Sequence, residues 1–107
     1  MADLYFDLAT APEISLTLGQ RLKAARLAQG LQQAELAARA GLSRGTVMAL
    51  ENQGQCSLQA FIHIVQALGL VQELNEVFLP QIRTIAEMER HAAPQRQRAP
   101  RKTGPQS

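Results

Sequence analysis

The sequence predicts an all-α domain of five short helices, with a short N-terminal arm and a basic C-terminal tail. Three observations point there. The 107 residues include 17 Ala and 15 Leu against nine Val or Ile, a balance that favours helix over sheet. Gly30, Gly41, Gly54 and Gly69 cut residues 17–79 into pieces of helical length. Within those pieces, apolar residues recur at three- and four-residue spacing.

The elements follow in order. In the arm, 1–16, Leu4, Phe6 and Leu8 alternate with Asp3, Tyr5 and Asp7, the period of a half-buried strand. A lone strand gains nothing without a partner, so the arm is either floppy or pairs with a second copy across a dimer. Residues 17–29 read as the first helix, with Leu18, Leu22, Ala25 and Ala28 on one face and Thr17 with Gln20 in a capping-box pattern. Gly30 ends it. Residues 33–40 form a second, short helix with Leu36, Ala37 and Ala40 together, and Gly41 stops it. Ser43 caps a third helix, 44–52, that turns Val47 and Leu50 inward.

After the loop 53–56, Ser57 caps a fourth helix, 58–68, whose Phe61, Ile62, Val65 and Leu68 give the strongest core signal. A fifth helix spans 71–79 and ends before Pro80. A helical extension at 80–91 adds one or two turns through Ile82, Ile85 and Met88. From 92 to 107 the chain is mostly Pro, Gln, Arg and Lys, the composition of a disordered tail.

The formal charge is only +2, but it is unevenly spread. Residues 1–19 carry −3, 20–50 carry +4, 51–89 carry −4 and 90–107 carry +5. Such blocks indicate a basic surface element and a basic tail on an acidic body. The tail is either a solvated run, a source of extra phosphate contacts, or a dock for an acidic partner. The single cysteine, Cys56, cannot form an intrachain disulfide, and the start, Met1-Ala2-Asp3, is acidic where a secretory signal is basic. The uncharged run 52–72 is interrupted by Gln53, Gln55, Gln59, His63 and Gln66, so it is not a membrane span. Together these features predict a cytoplasmic protein. No Ser/His/Asp set, phosphate-cradling glycine loop or metal-ligand spacing supports catalysis, a cofactor or a metal. His63 lies among core residues and reads as a packed histidine, and Cys56 as a bystander.

The informative stretch is QAELAARAGLSRGTVMALEN, residues 33–52. Two helices crossing closely through a three- or four-residue turn need a small residue at the crossing, which Ala37 supplies. They need a turn residue that tolerates positive φ, and Gly41 lies four positions on. Leu36, Val47 and Leu50 face inward, while Ser43, Arg44 and Thr46 make the start of the second helix polar and projecting. All four requirements are met at helix-turn-helix spacing.

On LGQRLKAARLAQGLQQAELA, AGLSRGTVMALENQG and SLQAFIHIVQALGL, the stretch 18–79 resembles the XRE family, the helix-turn-helix fold of phage Cro proteins and repressors. The resemblance implies a structural ion pair between Arg26 on the first helix and Glu51 at the end of the recognition helix. It places Gln33 where a glutamine bonds a phosphate and buttresses that helix. Ser43 and Asn52 match phosphate contacts at its two ends, and Arg44 matches the first base-reading position, where an arginine can grip guanine O6 and N7. Thr46 and Met48 follow as candidates for a phosphate and a thymine methyl. An isolated arginine at a helix start is ordinarily a solvated charge; inside the whole motif it reads as a DNA contact.

Two departures from the family pattern matter. Gly45 stands at a DNA-facing position where relatives carry a second polar reader, and Ala49 where another long side chain can reach the groove. Direct readout should therefore lean on Arg44 and on DNA shape. The loop after Glu51 is also one residue shorter than the family spacing, which weakens the case for phosphate contacts there.

One such domain reads few base pairs, so a homodimer on an inverted-repeat, double-stranded operator is expected, with Leu74, Val77, Phe78 and Leu79 as the dimer face. The size, the lone domain and the acidic segment ending in LP resemble HipB-type antitoxins, which repress their own operator and bind a HipA-like kinase toxin. The alternative is a stand-alone XRE-type regulator.

Overall fold

The computed structural model describes residues 5–80, which form four α-helices. These are α1 (Ala11–Ala28), α2 (Gln33–Ala40), α3 (Arg44–Gln53) and α4 (Leu58–Ala67), with 3-10 turns at Phe6–Leu8 and Val71–Leu74. The chain divides into two compact units, Met1–Asn75 and Glu76–Ser107. The extension expected beyond Pro80, the basic tail and Leu4 lie outside the described residues.

Helix α1 begins at Ala11, six residues before the Thr17 start expected from sequence. Thr10 is the N-cap: its Oγ1 accepts from the Glu13 amide at 3.2 Å, and Glu13 Oε1 accepts from the Thr10 amide at 2.9 Å. Pro12 sits in the first turn, where a missing amide donor is harmless. Thr17 lies mid-helix and donates its hydroxyl to the Glu13 carbonyl at 2.8 Å, so its capping-box spacing to Gln20 goes unused. The expected arm is thereby shortened. Its remaining apolar alternation is no strand either: Phe6–Leu8 is a 3-10 turn, and the Arg21 guanidinium lies 5.0 Å from the Phe6 ring centroid. Among the described residues there is no strand.

Helices α2 and α3 form the compact pair. The Gln32 amide donates to Glu35 Oε1 at 2.8 Å and fixes the start of α2. Gly41, at φ 71°, ends α2 in the left-handed region, and the Leu42 amide returns to the Ala37 carbonyl at 2.9 Å. Ser43 then starts α3, its Oγ accepting from the Thr46 amide at 3.1 Å. Gly54 ends α3, where a Cβ would stand 2.5 Å from the backbone of Ser15 and Leu16. A Cβ on Gly19 would overlap the Leu50 carbonyl. Helix α1 therefore crosses α3 and the following loop with backbone nearly touching backbone, a contact only glycine permits.

The core gathers Leu22 and Leu31, then Leu36, Ala37 and Ala40 of α2, Val47 and Leu50 of α3, and Ile64, Val65 and Leu68 at the α4 end. Leu36, Val47 and Ile64 are fully buried, so truncating either of the larger two to Ala costs roughly 2–5 kcal/mol. On α4 the buried stripe runs through Phe61, Ile64, Val65 and Leu68, with Phe61 half-buried. Ile62, expected in that stripe, is only half-buried, while Ile64 takes its place at the correct helical spacing. Gln29 Nε2 donates to the Leu68 carbonyl at 2.8 Å and ties the end of α1 to the end of α4.

The expected fifth helix is not formed. Val71–Leu74 is a single 3-10 turn, its N-cap Leu70 offers no side-chain acceptor, and Phe78 adopts φ 64°. Only ten residues separate Gly69 from Pro80, and Pro80 disfavours helical backbone at Leu79. A segment this short, uncapped and blocked at its end cannot offset the cost of helix nucleation.

Candidate nucleic-acid interface

Helix α3 has two faces with opposite chemistry. Its inward face carries Val47, Leu50 and Glu51, all buried. Glu51 is only 3 % exposed and Arg26 only 6 %. Arg26 Nε donates to Glu51 Oε2 at 2.7 Å and Nη2 donates to Oε1 at 3.0 Å, a two-pronged guanidinium–carboxylate pair. Arg26 Nη1 also donates to the Leu31 carbonyl at 2.7 Å, and Gln33 Nε2 donates to Glu51 Oε1 at 3.1 Å. The hydrogen bonds to Glu51 raise the Arg26 pKa above its ordinary value, outweighing the opposite push of burial. One knot of charge thus joins α1, the turn before α2, α2 and α3. Its contribution is orientation more than net stability, since a buried pair rarely outperforms apolar residues of the same volume.

The outward face carries Arg44 and Gly45, both exposed, then Met48 and Ala49, half-buried, and the exposed Asn52. These positions fall one turn apart on one side of the helix. Among the described residues, Arg44 forms no salt bridge. Ser43 and Thr46, at the start of α3, bond to each other through their hydroxyls at 2.9 Å. An open groove borders α3 on each flank. One, of about 690 Å³, runs from Arg44 to Gln32, Gln33 and Ala34 at the start of α2. The other, of about 550 Å³, lies between Gly45, Thr46 and Ala49 and the loop residues Gln55 and Ser57.

The residues singled out in the sequence divide accordingly. Ser43, Arg44, Gly45, Thr46 and Met48 come together on the first two turns of α3, and Asn52 follows at its far end. Gln33 stands between the two faces, half-buried and bonded to Glu51. Gln55 and Ser57 were not singled out, and they line the second groove. The signal was present in the polar run around Gly54, but the shortened loop argued against using it. Four apolar residues are expected to form a dimer face. Leu74 is half-buried against the core of the first unit, whereas Val77, Phe78 and Leu79 belong to the second unit and are exposed.

Among the described residues there is little chemistry away from α3. Cys56 is an exposed free thiol whose pKa is pushed up, chiefly by desolvation, with a backbone hydrogen bond from Phe61 opposing it. Among the described residues, no cluster of three or more His, Cys, Asp or Glu could hold a metal ion. No described helix is long and apolar enough to cross a membrane.

A family model described as Helix-turn-helix matches residues 22–72, an interval that takes in the C-terminal part of α1, all of α2, α3 and α4, and the start of the final 3-10 turn. No curated protein matches the chain. The motif read from residues 33–52, the α2–turn–α3 geometry and the family match coincide. Residues 22–72 are a DNA-binding helix-turn-helix domain of the XRE family.

Proposed function

We propose that this DNA-binding regulator represses transcription by occupying an inverted-repeat operator as a homodimer, with α3 in the major groove. One observation carries the reading: α3 is locked by Glu51 on its inner face and open, with Arg44 projecting, on its outer face. A helix held rigidly from behind can present side chains to base edges in a fixed register.

Arg44 is the guanine reader. Ser43, Thr46, Gln33 and Asn52 supply phosphate contacts, which set position and carry no sequence information themselves. Gly45 and Met48 complete the surface against the bases. Val77, Phe78 and Leu79 are exposed apolar residues suited to a contact between two copies, and a two-fold dimer of such domains sets its recognition helices about 34 Å apart. Leu74, engaged with the core, is the least suited of the four.

Selection from random duplexes tests this reading. Two enriched half-sites in inverted orientation, about 10 base pairs apart, support it. A single half-site together with a concentration-independent monomer mass contradicts the dimer. The antitoxin role rests on the sequence resemblance to HipB-type proteins. Co-purification with a kinase-like product of an adjacent gene, on a protein that also binds its own upstream DNA, supports that role. Operator binding with no such partner favours the stand-alone regulator.

A further inference from the structure

Helix α1, helix α4 and the turn after α4 border a cavity of about 300 Å³ whose lining includes no residue of α3. Leu18, Arg21 and Leu22 fall on one face of α1 at three- and four-residue spacing, and Phe61 with Val65 does the same on α4. Leu22 and Val65 are buried and form the floor. Leu18, Phe61, Leu70 and Leu74 are half-buried and form the walls. Arg21 and Glu73, both exposed, bring one positive and one negative charge to the same lining. We infer that this cavity binds a free apolar α-amino acid, with its side chain among the apolar walls, its carboxylate on Arg21 and its ammonium on Glu73.

Three features specify that class of ligand. The volume stands at the small end of the roughly 300–1,000 Å³ that small-molecule sites span, so the ligand is compact. Six apolar side chains accept a hydrocarbon group, whose removal from water drives the binding. The two charges then decide what that group is attached to. A simple apolar acid gains Arg21 but sets its carboxylate beside Glu73, and an apolar amine meets the converse conflict with Arg21. An α-amino acid carries both charges on one carbon next to its side chain and suits both residues.

Both residues are available for that role. Among the described residues neither Arg21 nor Glu73 forms a salt bridge, so they do not neutralise each other across the cavity. The Arg21 guanidinium lies 5.0 Å from the Phe6 ring centroid. That ring holds the cation in place and supplies no acceptor oxygen, so the guanidinium keeps the fork of N–H donors that matches a carboxylate.

Calorimetric titration of the full chain with L-leucine tests the assignment, with two comparators. Isocaproate keeps the side chain and carboxylate but has no ammonium; L-leucinamide keeps the side chain and ammonium but has no carboxylate. Saturable binding of leucine is expected, with each comparator roughly tenfold weaker, the value of one charge-assisted hydrogen bond. Glu73→Gln should bind leucine and isocaproate nearly alike, and Arg21→Gln should bind leucine and leucinamide nearly alike. Because each ratio is taken within one protein, a change in folding cancels. No saturable binding of leucine, methionine or phenylalanine at millimolar concentration overturns the proposal. Equal affinity for a comparator on the unaltered chain also overturns it, since apolar burial alone then accounts for uptake. A preference for leucine that survives both substitutions overturns it by placing the site elsewhere. None of these outcomes bears on α3, whose reading stands or falls on DNA binding.

Discussion

Arg26 and Arg44 are the same residue type in opposite circumstances. Arg26 is buried, and its guanidinium is satisfied by Glu51 and the Leu31 carbonyl. Arg44 is exposed at the first turn of α3, beside an open groove, and forms no salt bridge among the described residues. A guanidinium desolvated inside a fold must be fully partnered there, whereas one left in water gains its partners from outside. The first arginine sets where α3 lies, and in the proposed reading the second uses that placement on DNA. Burial and partnering, not residue type, separate the structural cation from the one proposed to read DNA.

That contrast can be broken most severely at the buried end. Arg26→Ala leaves the Glu51 carboxylate buried with Gln33 as its one remaining side-chain partner among the described residues, and should cost about 3–5 kcal/mol of stability in urea unfolding. Replacing both partners together, Arg26→Met with Glu51→Leu, should cost clearly less than either single change summed with the other. A double variant no better than the sum would mean that the pair does not act as a unit.

Gln33 spans the two regions and sharpens the boundary. Its bond to Glu51 makes Gln33→Ala a loss of about 1 kcal/mol in unfolding. On DNA, the same change should weaken binding by a similar factor for every sequence, since phosphate contacts do not discriminate. A loss confined to one base position would instead make Gln33 a reader.

The core of the site was legible from residues alone. Residues 33–52 carry small, turn, apolar and polar types at spacings that few other arrangements satisfy, so α2, Gly41 and α3 follow directly. The start of α1 was misjudged because two capping-box patterns compete. Thr17 with Gln20 precedes the periodic residues, but Thr10 with Glu13 has Pro12 in its first turn and its reciprocal bonds form. That cue is present in the sequence, and the alternation of Leu4, Phe6 and Leu8 is too short a pattern to define a strand. The fifth helix was misjudged for the opposite reason. Its apolar residues have helical spacing, but periodicity says nothing about nucleation, and Leu70 supplies no cap. The pairing of Gly19 with Leu50, and of Gly54 with Ser15 and Leu16, depends on the crossing of distant segments, which local pattern does not encode.

The central claim is that α3 is held from one side so that Arg44 can read DNA from the other. Arg44→Ala tests it, with operator affinity and unfolding free energy measured on the same protein at one salt concentration. The account predicts a loss of about 1–3 kcal/mol in affinity with relaxed preference at one guanine, and a stability change within about 0.5 kcal/mol. Unchanged affinity, or a stability loss large enough to explain the binding defect, would contradict it.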